Sequence, residues 1–222
     1  MHSHKTASPP GVVFDLDGTL ADTLQDITDA LNVAIGSIGQ PPLPPSRVRP
    51  FVGQGLPVLL SLASGLTEEA TITILVERFR EHYQRHLLDK TVLYPGIPAV
   101  LDRLTAAGCP LAVLSNKPHD STQVVCRELL ARWPFTAFLG WDGRRPRKPD
   151  PTGALELADA LHRDPGSIVF VGDSDVDLLT ALNAGMRPVA VTWGFRDVEE
   201  LLQAGATVLI NRPAQLAEAI LL

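Results

Sequence analysis

An α/β fold is what this sequence predicts: a parallel sheet covered by helices on both faces, with a helical block inserted after its first strand. Three observations predict it. Short apolar runs alternate with amphipathic stretches from residue 92 onward. The runs are apolar at consecutive positions rather than at every second one, as in strands buried on both faces. From about residue 22 to 90 this alternation stops and helical periodicity replaces it.

Val12-Val13-Phe14 opens the series, in a strand predicted over 11–16. Helical spacing of apolar residues then covers 24–38, 54–64 and 67–88, with the rigid turn "GQPPLPP" at 39–45 between two of these helices. Strands follow at 110–116, 136–140, 167–173, 187–193 and 206–210. Amphipathic helices occupy 97–107, 119–131, 152–161, 174–184, 196–203 and 213–221. The chain therefore divides into a discontinuous α/β core, 11–21 and 91–222, and a small α-helical domain, 22–90, joined by crossings near 21–23 and 89–92. Residues 1–10, polar and proline-rich, are predicted to be a disordered tail in which His2 and His4 are solvated.

With 222 residues, 45% of them hydrophobic, the chain can bury a sizeable core. The net charge of −6 argues against a nucleic-acid surface, which needs clustered Lys and Arg. No apolar run approaches the ~20 residues of a membrane helix. Cys109 and Cys126 have no metal-ligand spacing and predict no disulfide framework, so a cytoplasmic protein is expected.

The chemistry concentrates at strand ends. In an open parallel sheet, ligands bind beyond the C-terminal ends of the strands. Asp15 and Asp17 stand there, two positions apart and pointing the same way on an extended chain. Two such carboxylates repel unless a cation or a shared proton relieves them, and Mg²⁺ is the natural hard cation. Gly18 permits a sharp turn after them. Asp-x-Asp-Gly-Thr fixes four residue types, roughly one chance in 10⁵ per position. That is too rare for an incidental turn.

A second strand ends in Gly172-Asp173, with Asp177 in the first turn of the next helix. Locally this also suits helix capping. If the two strands are neighbours, their carboxylates meet at one cation. The strand through 110–116 ends in Ser115-Asn116, whose hydroxyl and backbone N–H can donate to an anion or cap the helix that follows. Lys148 precedes a Pro-Asp-Pro turn.

In the helical block, Arg47 and Arg49 are candidates to meet a substrate carboxylate, or are simply solvated. Gly53 and Gly55 either approach a phosphate or let the loop pass close to the site. His82 and His86, one helical turn apart, lack the metalloprotease pattern and are expected to be solvated. Trp193 and Phe195 follow a core strand and suit either the entrance of the site or packing.

Together, Asp15-x-Asp17-Gly18-Thr19, Ser115-Asn116, Lys148-Pro149 and Gly172-Asp173-Ser174-x-x-Asp177 resemble the haloacid dehalogenase superfamily of phosphotransferases, in order and spacing, over nearly the whole chain. The resemblance implies a Rossmann-like core with a small α-helical cap and a strand order placing the Asp15 strand between the other two. It implies Asp15 as nucleophile and Asp17 as general acid and base. Ser115 and Asn116 would hold phosphoryl oxygens, and Lys148 would compensate charge. Mg²⁺ would sit on Asp15, the Asp17 carbonyl and Asp173, with Asp177 one layer out. Within the superfamily, "VRPFVGQG" (48–55), "SNKP" (115–118) and "VTWGF" (191–195) resemble the phosphoglycolate phosphatase group. They suit phosphatases of sugar phosphates or pyrophosphate nearly as well. A phosphomutase of the β-phosphoglucomutase kind is the catalytic alternative. A non-catalytic binding protein would not need Asp17. Arg49 and Gly53 are the expected contacts to the rest of a small phosphorylated metabolite. The chain's partners are expected to be that metabolite and at most a second copy of the chain, as monomer or homodimer.

Overall fold

The computed structural model describes residues 8–222, so most of the predicted tail, with His2 and His4, lies outside the described residues. The chain enters the sheet at once through β1 (Gly11–Phe14). Val12, Val13 and Phe14 are fully buried, and they divide between two cores. Val12 and Phe14 face one cluster and Val13 the other, as the two-residue period of a strand requires. A short β2 (Ala21–Asp22) leads into α1 (Leu24–Gly36), α2 (Pro45–Val48), α3 (Leu56–Ser64) and α4 (Glu69–His86). A 3₁₀ turn at Arg49–Phe51 separates α2 from α3. Ile27, Leu31, Leu60, Leu75 and Phe79 give these helices a common buried interior.

The chain returns through β3 (Val92–Leu93), which pairs antiparallel with β2. This joint was not foreseen, because two-residue strands carry no periodicity to read. It is reinforced by a buried carboxylate. Asp26 of α1 accepts hydrogen bonds from the backbone N–H groups of Lys90 and Thr91 and from the Thr91 hydroxyl, at 3.0, 2.8 and 2.7 Å. The two crossings are therefore tied side by side.

The remainder alternates: α5 (Ile97–Ala106), β4 (Leu111–Pro118), α6 (His119–Leu130), β5 (Phe135–Trp141), α7 (Thr152–Ala160), β6 (Ile168–Gly172), α8 (Asp175–Asn183), β7 (Arg187–Val191), α9 (Val198–Gln203), β8 (Leu209–Ile210) and α10 (Pro213–Leu221). The sheet order is β5-β4-β1-β6-β7-β8, parallel throughout. Ala154, Leu157 and Ala158 of α7 and Ala181 of α8 cover one face. Leu101 and Leu104 of α5 and Leu216 and Ile220 of α10 cover the other. β1 thus sits between β4 and β6, and the C-terminal ends of these three strands are adjacent. No single helix among the described residues is long and apolar enough to cross a membrane.

Candidate active site

Backbone geometry first brings the acidic residues together. After β1 the chain folds into a tight loop, with the N–H groups of Leu20 and Ala21 donating to the Leu16 carbonyl and that of Gly18 to the Ala21 carbonyl. Gly18 adopts a φ of +87°, a region that favours glycine, and a Cβ there would overlap the Asp173 carboxylate. At the end of β6, a Cβ on Gly172 would overlap Asp177 in the same way. Bare glycines at both strand ends let the two acidic segments approach.

Asp15, Asp173 and Asp177 are buried, and each offers a carboxylate oxygen within 4.8 Å of the others. One cation faces them. Lys148 Nζ donates to Asp15 at 2.7 Å and to Asp177 at 2.6 Å. Asp177 also closes a capping box at the start of α8, accepting from the Ser174 hydroxyl and N–H. Asp173 accepts from the Thr19 hydroxyl at 3.1 Å and the Phe195 N–H at 2.6 Å. Burial pushes the Asp15 carboxyl well above the usual range, against the opposing pull of Lys148. Burial, with Asp177 adding repulsion, pushes Asp173 up to about 7. The same causes that hold Lys148 in place, Asp15 and Asp177, raise its pKa despite burial. Three carboxylates against one ammonium form an oxygen-rich, anionic donor set that a hard divalent cation would relieve.

Asp17 turns elsewhere. Its carboxylate accepts from Lys117 Nζ at 2.8 Å, and the same ammonium donates to the Tyr83 hydroxyl at 2.7 Å. Tyr83 comes from α4, so this chain of contacts links the helical block to Asp17. Burial raises the Tyr83 phenol to about 12. Asp15 and Asp17 therefore have separate cationic partners.

Asp15, Asp17, Tyr83, Lys117, Lys148 and Asp173 line one cavity of about 60 Å³, together with Ser115, Asn116, Gly53 and Arg196. Ser115 accepts from the Lys117 N–H through its hydroxyl oxygen. The Asn116 amide ties three segments: it donates to the carbonyls of Gly53 and Lys148 and accepts from the Lys148 N–H, at 2.9, 3.0 and 2.8 Å. Phe195 lines the cavity, whereas Trp193 packs outside the lining and donates to the Thr19 carbonyl.

Arg49 does not join the site. Its guanidinium donates to the Gly194 carbonyl at 2.9 Å and lies 3.5 Å from Asp197, away from the cavity lining. Arg47 is exposed. Arg49, expected to contact the substrate, is held here by the loop after β7. His82 is half-buried beside His86, outside the cavity. Lys117, Tyr83 and Arg196 were not foreseen.

The chain belongs to the haloacid dehalogenase-like hydrolase family, whose model matches residues 12–191. Within that family it falls with the phosphoglycolate phosphatase-like group, and it is a phosphoric monoester hydrolase. It is 34% identical over 211 residues to the phosphoglycolate phosphatase of Xanthomonas campestris pv. campestris (strain 8004), covering 95% of this chain and 96% of the relative. It is 36% identical over 216 residues to that of Agrobacterium fabrum, covering 95% and 92%. A crystal structure from Lactobacillus delbrueckii subsp. bulgaricus, provisionally named a phosphoglycolate phosphatase, superposes with a TM-score of 0.90 at 32% identity, covering 96% of this chain and 99% of that one.

Proposed function

We propose that the protein is a Mg²⁺-dependent phosphatase that hydrolyses 2-phosphoglycolate through an aspartyl-phosphate on Asp15. The observation that carries this reading is the separation of two neighbouring carboxylates by their partners: Asp15 is held by Lys148 and Asp17 by Lys117, both on one cavity. Two carboxylates in different surroundings suit two different tasks.

In the first step an Asp15 oxygen attacks phosphorus and the bond from phosphorus to the ester oxygen breaks. The departing alkoxide takes its proton from Asp17. In the second, Asp17 accepts a proton from water as the water oxygen attacks the aspartyl-phosphate. Phosphate leaves, and the Asp15 carboxylate is restored. Ser115 and the Asn116 N–H hold phosphoryl oxygens, and Lys148 offsets the charge between nucleophile and phosphate. Asp15, the Asp17 carbonyl and Asp173 would hold Mg²⁺, with Asp177 orienting them from one layer out. Bound there, the ion supplies charge neutralisation at the phosphoryl group. The helices 22–90 act as a cap whose loop at Gly53 and whose Tyr83 roof the cavity.

Support for the substrate comes from the likeness to phosphoglycolate phosphatases and from size. By the measure in which one water needs roughly 10–15 Å³, a cavity of about 60 Å³ suits a small ester. The test is phosphate release from a panel of phosphorylated metabolites with Mg²⁺. 2-Phosphoglycolate is expected to give the highest kcat/KM, with no isomerised product. Asp15→Asn should cut turnover roughly 10⁴-fold or more while thermal unfolding stays cooperative. Near-normal turnover in that variant removes the mechanism. A preference for hexose phosphates removes the substrate and leaves the class.

A further inference from the structure

Three cationic side chains line the cavity: Lys117, Lys148 and Arg196. Two are committed. Lys148 bridges Asp15 and Asp177, and Lys117 bridges Asp17 and Tyr83. Arg196 is different. It sits in the loop between β7 and α9 and is only 5% exposed. Its Nη2 donates to the Val52 carbonyl at 2.8 Å, in the loop before α3. Its Nε lies 3.5 Å from Asp175, a loose contact to a carboxylate that is 43% exposed. Its Nη1 is buried and has no hydrogen-bond partner among the described residues, while the side chain lines the cavity.

A buried guanidinium with an idle donor is costly unless an anion arrives to use it. The planar fork of an arginine matches a carboxylate, which can accept two N–H groups at once. Apolar neighbours in the same wall, Val52, Leu56 and Phe195, exclude water and strengthen such a contact. We infer that Arg196 takes the second anionic group of the substrate, its carboxylate, and is the residue that selects 2-phosphoglycolate over phosphate esters that lack a second anionic group. This deepens the proposed phosphatase reading and rests on it. The Val52 contact adds a further consequence: the residue that meets the carboxylate also ties the helical block to the core, so substrate selection and closure of the cavity share one side chain.

The experiment compares kcat/KM for 2-phosphoglycolate and for ethyl phosphate, a two-carbon ester without the carboxylate, in wild type, Arg196→Gln and Arg196→Lys. A site built around a charged group rejects the analogue lacking it. The wild type is expected to prefer 2-phosphoglycolate. Arg196→Gln should lower the ratio of the two kcat/KM values by roughly 10²-fold, with the loss carried by KM for 2-phosphoglycolate. Arg196→Lys, which keeps the charge without the fork, should lower it less, and keeps the test open should the glutamine variant fail to fold. A wild-type preference that survives in the folded variants, the two substrates falling in parallel, overturns the assignment to Arg196 alone. A wild type that hydrolyses ethyl phosphate equally well overturns the phosphoglycolate reading, and the assignment falls with it.

Discussion

Asp173 offers a direct test of the metal site that does not depend on turnover. Lys148 pairs with Asp15 and Asp177, so Asp173 is left with two neutral donors, the Thr19 hydroxyl and the Phe195 N–H. Its carboxyl is pushed from an ordinary 3.8 to about 7, chiefly by burial and then by Asp177. That displacement costs the ionised form on the order of 4 kcal/mol. In the unfolded chain Asp173 loses its proton near pH 3.8, and in the folded protein near pH 7. Between these values the folded state binds the extra proton, so this group makes the metal-free protein progressively less stable from about pH 4 to about pH 7. Below that window it contributes nothing, and above it the full penalty persists.

The perturbation is Asp173→Asn, which is neutral at every pH. Its amide oxygen can accept from the Phe195 N–H while its NH₂ donates to the Thr19 hydroxyl oxygen, so both contacts survive. With a chelator present, the variant should match the wild type near pH 4 and exceed it by on the order of 4 kcal/mol at pH 8. At roughly 2–4 °C per kcal/mol for a chain of this size, the melting temperatures should separate by about 10 °C. Added Mg²⁺ should raise the wild type at pH 8 and the variant much less, because an ion that binds only the folded state stabilises by mass action. The assay is thermal unfolding with and without chelator across pH 4–8. A gap between the two proteins that does not change with pH refutes the electrostatic argument. Equal stabilisation of both by Mg²⁺ refutes the place of Asp173 in the site.

Two further outcomes follow from the contacts described. Lys117→Met should lower kcat by roughly 10²-fold, the scale of a mispositioned acid–base group, and Tyr83→Phe should lower it far less, since the Lys117–Asp17 contact remains; steady-state kinetics checks both, and an unaltered kcat in Lys117→Met discards the positioning role. Asp26→Ala should cost about 2–4 kcal/mol by stranding the N–H groups of Lys90 and Thr91 at the joint between β2 and β3, read as the midpoint of urea unfolding, and a loss below about 0.5 kcal/mol would show the joint to be held by its strand pairing alone.

The anions of this site were legible in the sequence and its cations mostly were not, and the reason is physical. Asp15, Asp17 and Asp173 lie at the ends of strands whose apolar runs announce themselves locally, so the residue that follows each run is placed by the run. Lys117, Tyr83 and Arg196 acquire their meaning from partners 100, 34 and 144 positions away. Nothing in the neighbouring residues distinguishes them: Lys117 stands after the apolar run ends, Tyr83 continues the Leu75–Phe79 stripe of α4, and Arg196 follows a loop aromatic. Arg49 shows the converse. An arginine beside a proline turn has the local character of a substrate contact, yet the Gly194 carbonyl and Asp197 take it first. Strand ends fix where negative charge accumulates, because a parallel sheet must expose its C-terminal edge. Which positive groups answer it depends on how the inserted helices and the loop after β7 close over that edge, and closure is a property of the folded chain. That is why Asp15, Asp173 and Asp177 meet beyond the ends of β1 and β6, while Asp17 turns to Lys117.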